Sequence, residues 1–503
     1  MVMLTDTLQA VRTRVSGHPV ALAATLLGLL GTVVTGAGSW VPSFWGDEAA
    51  SVMSAERSLP SLLSALANID AVHGVYYAFL HFWIPLFGTS ELATRAPSAI
   101  GVGLMVGGVV VLASRFVDVR FAALAGVVAI ILPRSTYLGT EARSYALGAA
   151  ASVWLTVLLI HLVRRRANSS PGWILYGVAA AACVYLFLYL GLLLVIHAVY
   201  LAVMHRASLG GWARGALVAV LLVAPFVWIA YGQRGQIAFL SKRDYATPYN
   251  VLISQWFGTP VVAVICWVLI LVAAITWGAR AFRLRRVPSG IAELVLLGLL
   301  WVVLPTSVIL VANAFLIPIY NIRYLSFSTP AAALVVAVGI AAIARRAPRA
   351  RTDISVVIVA ALIVASFPGY LDQRMPWAKG SDWRDVSAAL ASRAQPGDPV
   401  IFDQQTQSSK DPRRALRMYP AAFAGLRDVE LVTPFFDTPG LWDRVAPLPH
   451  VFGALAGSQT IWALELSTGR GTPEDITYLQ ANGYRVVDSV KFNSTVLYQL
   501  DKE

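Results

Sequence analysis

The feature that most limits how this chain can fold is a succession of long apolar runs. A bilayer-spanning helix needs about 20 consecutive, mostly apolar residues, about 17–25 in practice. Runs of that kind lie near 19–41, 96–114, 121–138, 143–163, 172–187, 189–205, 212–231, 260–279, 289–312, 323–344 and 354–368. The stretch 172–205 is continuous, so its division into two rests on length alone. A twelfth apolar segment, 73–88, is short and carries His73 and His81. Of the 503 residues 57% are hydrophobic and 13% are charged, against about 25% charged in soluble domains. A single soluble domain, a DNA-binding module and a disordered tail are therefore excluded.

Charge divides the chain. Residues 1–369 hold 25 Lys/Arg and 11 Asp/Glu, whereas 370–503 hold 14 and 16. The basic excess belongs to the apolar part, where it reports topology before any nucleic-acid partner. With eleven spans and the N-terminus inside, 17 of the 25 basic residues fall in inner loops, as cytoplasmic loops should show. Counting 73–88 as a span breaks this rule, so that segment is expected to be re-entrant or interfacial. The odd number of spans places residues 370–503 outside. The run 19–41 is too long for a signal-peptide core and lacks a small-residue cleavage site, so it reads as an anchor. Only 5 of the 39 basic residues are Lys, a usage that suggests a GC-rich bacterial genome and hence a bacterial plasma membrane. Cys183 and Cys266 lie inside apolar runs and read as packing residues.

From Pro368 the character changes. Helix-like 382–394 is followed by strand-like 399–402, and the later runs VELVTPFF, TIWALEL, YRVVDSVKF and STVLYQL are short and rich in β-branched residues. This alternation predicts a small α/β domain. The expected architecture is a polytopic α-helical membrane domain over 1–369, with about 11 spans and a first outer loop at 42–95, followed by an extracytoplasmic α/β domain over 370–503.

Seven of the 11 acids of the membrane part fall on the outer face: Asp47, Glu48, Glu56, Asp70, Glu91, Glu141 and Asp244. Ionisable groups near hydrocarbon are expensive, and they are usually paired or functional. Their gathering at one surface suggests a site at the outer lipid–water boundary. Adjacent carboxylates on a helix point about 100° apart, so Asp47 and Glu48 would serve different partners; a solvated turn after a span explains the pair equally well. His73 could bind phosphate, orient a sugar, shuttle a proton or simply cap a helix. Tyr76 and Tyr77 suit stacking on sugar rings, packing on an isoprenoid chain, or an interfacial aromatic belt. Arg95, Arg143 and Arg323 each sit where a span meets the outer face. Guanidinium forks suit phosphate oxygens, although any one of them alone could be a snorkelling anchor.

Taken in order, these elements resemble the GT-C superfamily of membrane glycosyltransferases that use polyprenyl-phosphate sugars, especially the protein O-mannosyltransferase-like proteins and the aminoarabinose transferase of lipid A. An acidic pair opens the first outer loop there, as Asp47-Glu48 does here. Asp70-Ala-Val-His73-Gly-Val-Tyr76-Tyr77 resembles an Asp-x-His-Pro-Pro-x-x-Tyr-Tyr segment, departing from it at Gly74 and Val75. Arg95-Ala-Pro97-Ser98, the element Glu141 to Leu147, and Arg323-Tyr324 also have counterparts. The resemblance implies transfer of a single sugar, mannose or a pentose, from a polyprenyl-phosphate donor to a glycolipid, polysaccharide or protein acceptor, with inversion. It implies that Asp47 is the base, that Glu48 and Glu141 orient arginines or sugar hydroxyls, and that Arg95, Arg143 and Arg323 face the phosphate. His73, Asp70, Tyr76, Tyr77 and Tyr324 join the donor-binding set. No tightly held metal is expected; if a divalent cation such as Mg or Mn is used, Asp47 and Glu48 are the candidates. A transporter or flippase is the rival reading. It calls for inverted repeats and mid-membrane ionisable groups, neither of which the sequence displays. An oligosaccharyltransferase would want a Trp-Trp-Asp signature in a large soluble domain.

Overall fold

The computed structural model describes residues 2–165, 170–278, 290–406, 409–467 and 471–503. Helices α1 (Val2–Gly36), α2 (Gly46–Glu56), α3 (Leu59–Asn68), α4 (Gly74–Phe87) and α5 (Glu91–Ser114) come first. They are followed by α6 (Val119–Ile131), α7 (Pro133–Leu138), α8 (Tyr145–Arg164), α9 (Ser170–Leu186) and α10 (Leu192–Met204). Then come α11 (Leu209–Gly232), α12 (Pro260–Ala273), α13 (Gly290–Phe315), α14 (Thr329–Ala344) and α15 (Arg351–Asp372).

The chain is a multi-pass membrane protein. Among the described residues, eight helical segments are long and apolar enough to cross a membrane: His18–Gly36, Glu91–Ser114, Tyr145–Arg164, Arg206–Gly232, Pro260–Trp277, Gly290–Phe315, Ser326–Ala344 and Pro348–Asp372. They correspond to eight of the eleven expected spans. The other three are present as shorter apolar helices, Val119–Ile131, Pro171–Leu186 and Leu188–Met204, and the backbone explains why. The run 121–138 breaks at Leu132, because Pro133 disfavours the helical conformation in the residue before it. The run 172–205 divides at Phe187, which is extended (φ −160°, ψ 118°) ahead of a 3-10 turn over Leu188–Gly191. Segment Ala71–Phe87 has 17 residues; at 1.5 Å per residue that is about 25 Å, short of a hydrocarbon core of about 30 Å.

The described residues form two compact units, one of residues 1–37 and 95–371 and the other of 38–94 and 372–503. In the first unit, helices that are apolar all round sort by position. The segment Ser326–Ala344 is 94% buried, whereas Pro348–Asp372 is 11% buried and presents Val356, Val357 and Val364 outward. Small residues permit close helix crossings. A Cβ on Gly339 of α14 would lie 2.1 Å from the Leu269 carbonyl of α12, and one on Gly177 of α9 would lie 2.3 Å from the Gly215 carbonyl of α11. His197 joins α8, α9 and α10 through Thr156 (3.1 Å) and Tyr176 (2.7 Å), so this buried polar group is satisfied within the helices. Cys183 and Cys266 are buried free thiols.

The second unit contains α16 (Trp383–Ala391), β1 (Pro399–Phe402), α17 (Arg414–Met418), β2 (Arg427–Asp428), β3 (Leu431–Thr433) and β4 (Arg444–Val445), then α18 (Leu448–Val451), β5 (Thr460–Leu466), α19 (Glu474–Ala481), β6 (Tyr484–Lys491) and β7 (Thr495–Lys502). The main sheet has the order β2-β1-β5-β7-β6, with β1 parallel to β2 and β5 and with β7 antiparallel to β5 and β6. Alternation along β5 divides two cores, since successive strand residues face opposite ways. Trp462 and Leu464 join Trp383, Val386, Leu390 and Phe402, while Ile461 and Ala463 join Ile401, Ile476, Leu479 and Leu500. Phe44, Ala49, Val52 and Met53 of the first loop complete the former core. The loop helix α2 is thus built into the α/β domain, secured by its core-facing Ala49, Val52 and Met53 and by Phe44 just ahead of it. On α4, Tyr76, Tyr77 and Leu80 are fully buried while Val75, Phe79, Phe82 and Leu86 form an exposed stripe at helical spacing.

Candidate active site

In the second unit the acidic pair begins α2. Trp45 is extended (φ −132°, ψ 174°), and Asp47 and Glu48 lie in the first turn, where negative charge complements the helix dipole. Glu48 is completely buried while Asp47 is partly exposed, so the two carboxylates diverge as neighbours on a helix must. Gly46 has a specific cause: a Cβ there would lie 2.0 Å from the Ser409 carbonyl. Only glycine lets the start of α2 approach the 409 segment so closely.

The Asp70–Tyr77 element is made by a left-handed residue. Asp70 has φ 60° and ψ 24°, and among the described residues no other non-glycine has a positive φ; Asp tolerates that region better than most residues do. A 3-10 turn over Ala71–His73 leads into α4. Gly74 continues it with helical angles (φ −55°, ψ −42°), so the departure from Pro-Pro leaves the turn in place. The Asp70 carboxylate accepts a short hydrogen bond from the Tyr77 hydroxyl, and the His73 ring lies 5.9 Å from that of Tyr77. His73 is itself buried. Helix α4 is tied to α2 by a hydrogen bond of 2.9 Å between His81 Nδ1 and the Ala55 carbonyl.

In the first unit, long sequence separations close into one cluster. Arg95 is fully buried near the start of α5. One turn on, the Ser98 hydroxyl donates to the Glu141 carbonyl at 2.6 Å and to the Arg143 carbonyl at 3.3 Å. Arg323 Nη1 donates to Glu141 Oε1 at 2.8 Å, and its guanidinium lies 5.8 Å from the Tyr145 ring centre. Tyr324 packs with Tyr145 and Tyr189, at 6.3 Å and 5.0 Å between centroids. Glu141 is 1% exposed, and its Oε2 atom has no hydrogen-bond partner among the described residues. An acceptor left over beside arginines is unusual in a buried ion pair, because an unpaired buried oxygen is costly.

Arg95, Glu141, Arg143, Arg323 and Tyr324 are therefore residues of the first unit, while Asp47, Glu48, Asp70, His73, Tyr76 and Tyr77 belong to the second. Sequence reasoning missed Tyr145 as a partner of Arg323, and it counted Glu91 only as an outer-face acid. It also passed over Arg384 and Tyr419, which bind Glu91 within the second unit; more than 290 residues separate them, and no local pattern marks them. Among the described residues no three His, Cys, Asp or Glu side chains come together as a metal-holding group.

The sequence matches no protein-family profile and no curated protein. The fold does match solved structures. ArnT from Cupriavidus metallidurans, solved bound to undecaprenyl phosphate, aligns with a TM-score of 0.57 and 13% identity over 94% of this chain and 97% of that one. The Archaeoglobus fulgidus oligosaccharyltransferase aligns at 0.50 and 11% identity, over 88% of this chain and 68% of that one. The arabinofuranosyltransferase AftD from mycobacteria aligns at 0.50 and 16% identity, over 96% of this chain and 40% of that one. The likeness shows that this chain shares the fold of these proteins.

Proposed function

We propose that this protein is an inverting membrane glycosyltransferase that moves one sugar, mannose or a pentose, from a polyprenyl-phosphate donor to a glycolipid, polysaccharide or protein hydroxyl. The observation that carries the reading is the buried Glu141–Arg323 pair with its spare carboxylate oxygen, next to Arg143, in a fold shared with a protein solved with undecaprenyl phosphate. The scarcity of Lys among the basic residues supports a bacterial plasma membrane, and the charge distribution of the loops supports placing the chemistry and the α/β domain on its outer side.

In this reading Asp47 accepts the proton of the acceptor hydroxyl. The acceptor oxygen then bonds to the anomeric carbon, the bond from that carbon to the phosphate oxygen breaks, and polyprenyl phosphate leaves with the electron pair. Such a leaving group gains charge as the bond breaks, so groups that bind it more strongly in the transition state lower the barrier. Arg95, Arg143 and Arg323 take that part. Glu141 orients Arg323, Glu48 orients sugar hydroxyls or the loop, and Asp70, His73, Tyr76, Tyr77 and Tyr324 bind the donor. If a divalent cation assists, Asp47 and Glu48 supply its carboxylates. The test is Asp47→Asn in membranes supplied with labelled polyprenyl-phosphate mannose and, separately, polyprenyl-phosphate arabinose. Transfer is expected to fall by at least ~100-fold; wild-type transfer by the variant removes the proposed base.

A further inference from the structure

The acidic pair of α2 is reached through residues 38–45, a stretch of turns and extended backbone whose polar groups need partners from elsewhere. The α/β domain supplies them. Arg384, in the first turn of α16, donates from Nη1 to the Val41 carbonyl at 2.8 Å and from Nη2 to the Trp40 carbonyl at 2.8 Å. Its Nε reaches Glu91 Oε1 at 3.1 Å, its Nη2 makes a second, shorter contact with the same oxygen, and its backbone N–H donates to Ser43 Oγ at 3.2 Å. Tyr419 completes the arrangement. Its hydroxyl donates to Glu91 Oε1 at 2.6 Å, accepts from the Phe44 N–H at 3.1 Å and lies 3.2 Å from Ser43 Oγ. The Phe44 and Tyr419 rings pack 6.0 Å apart in the core that also holds Ala49, Val52 and Met53 of α2.

Glu91 closes the far end of the same loop, so one carboxylate, one guanidinium and one phenol fasten both of its ends. Two residues, Trp45 and Gly46, lie between Phe44 and Asp47. Tyr419 is kept protonated by burial and then by the charge of Glu91 beside it, which preserves it as the donor in this set.

We propose that Arg384, Tyr419 and Glu91 are positioning residues for Asp47: the α/β domain fixes residues 40–44 and, through them, the place of the base. The proposal rests on Asp47 being the base, as read above. A misplacement of about 1 Å at a reacting group can cost about 100-fold. Arg384→Ala is therefore expected to lower kcat about 100-fold, and Tyr419→Phe, which keeps the ring and removes one hydroxyl, about 10-fold. KM for the donor should stay within about twofold, since donor contacts are untouched.

The experiment uses the full chain in lipid nanodiscs and compares wild type, Asp47→Asn, Arg384→Ala, Tyr419→Phe and Arg393→Ala. The last removes an exposed pair with Asp488 elsewhere in the domain and is expected to behave as wild type. Hydrogen exchange over residues 40–48 is measured on the same samples and should quicken in Arg384→Ala and Tyr419→Phe alone. If Arg384→Ala fails to fold, Tyr419→Phe carries the test. An inactive Asp47→Asn together with wild-type kcat, or unchanged exchange, in Tyr419→Phe overturns the positioning role and leaves the transferase reading standing. An active Asp47→Asn, or a wild type that transfers no sugar, overturns both.

Discussion

Two buried ion networks in this chain use the same residue types and are finished differently. In the α/β domain, Arg413 donates to both oxygens of Asp428 and to Asp443 at 3.3 Å, with Glu430 at 3.7 Å. Arg417 donates to both Asp443 oxygens at 2.9 Å and 2.7 Å, and the Phe435 N–H adds another bond. Burial alone would raise the Asp443 carboxyl, but Arg417 and then Arg413 hold it below the usual carboxylate range. Every Asp443 oxygen has partners. Among the described residues, Glu141 of the other unit has a partner for Oε1 and none for Oε2. A saturated network can only hold its own elements together; one with an oxygen in hand beside guanidinium groups has capacity for a ligand. The difference separates architecture from candidate chemistry where composition would not.

Breaking the saturated network should produce the largest effect. Arg413→Ala leaves Asp428 and Glu430 without their cation and Asp443 with Arg417 alone, a class of change that costs ~3–5 kcal/mol. Chemical denaturation of the full chain, followed through near-ultraviolet signals of the tryptophan-containing domain, is expected to reveal that loss. Stability within ~0.5 kcal/mol of wild type would mean that the network is ornamental. Next in size is Arg323→Lys, which keeps a cation beside the buried Glu141 and removes the planar fork. Here the comparison predicts the opposite split, with sugar transfer down ~100- to 1,000-fold, as when a preorganised transition-state donor is lost, and with little change in unfolding temperature. A variant that transfers normally but unfolds much earlier would place Glu141–Arg323 with the architectural kind.

The same contrast explains what could be read from the sequence. Apolar length and loop charge were enough for the helical class and for eleven hydrophobic segments. The breaks at Leu132 and Phe187 depend on local backbone geometry that hydropathy does not register, although Pro133 was a signal for the first. The order of the Asp47-Glu48, Asp70–Tyr77, Arg95–Ser98, Glu141–Leu147 and Arg323-Tyr324 elements pointed to candidate residues. It could not disclose that Ser98 binds the 141–143 backbone or that Arg323 meets Glu141 across 182 positions. Least legible was the membership of α2 in the core of the α/β domain. Phe44, Ala49, Val52 and Met53 look like ordinary loop residues after a span until Trp383, Leu390 and Phe402 are placed around them. Gly46 likewise reads as part of a motif, whereas its cause is the Ser409 carbonyl.

The smallest expected effect tests the comparison from its other side, because an unpartnered buried oxygen is not by itself a ligand site. Glu465, near the end of β5, is 2% exposed, and its Oε1 also lacks a partner among the described residues. The groups that face it are acidic or neutral: Asp475 from α19, Asp403 after β1, Glu430 and Tyr498 of β7. Burial first, then Asp475, Asp403 and Glu430, push its carboxyl up to about 10, so it stays neutral where Glu141 is paired with a cation. Burial similarly lifts Glu430 to about 8. Both values lie above those of the unfolded chain. Their stabilising contribution is thus complete below about pH 4.5 and declines as pH rises through the folded values. Glu465→Gln cannot ionise and keeps nearly the same shape. Near pH 4.5 it should match wild type. Above about pH 4.5 the folded wild type holds a proton that the unfolded chain has released, so its unfolding temperature should fall relative to that of Glu465→Gln until pH reaches about 10, opening a gap of a few degrees, roughly 1 kcal/mol in a domain of this size. Parallel curves over that interval would mean that Glu465 is charged in the fold, and the distinction between a carboxylate kept neutral among acids and one held by arginine would fail.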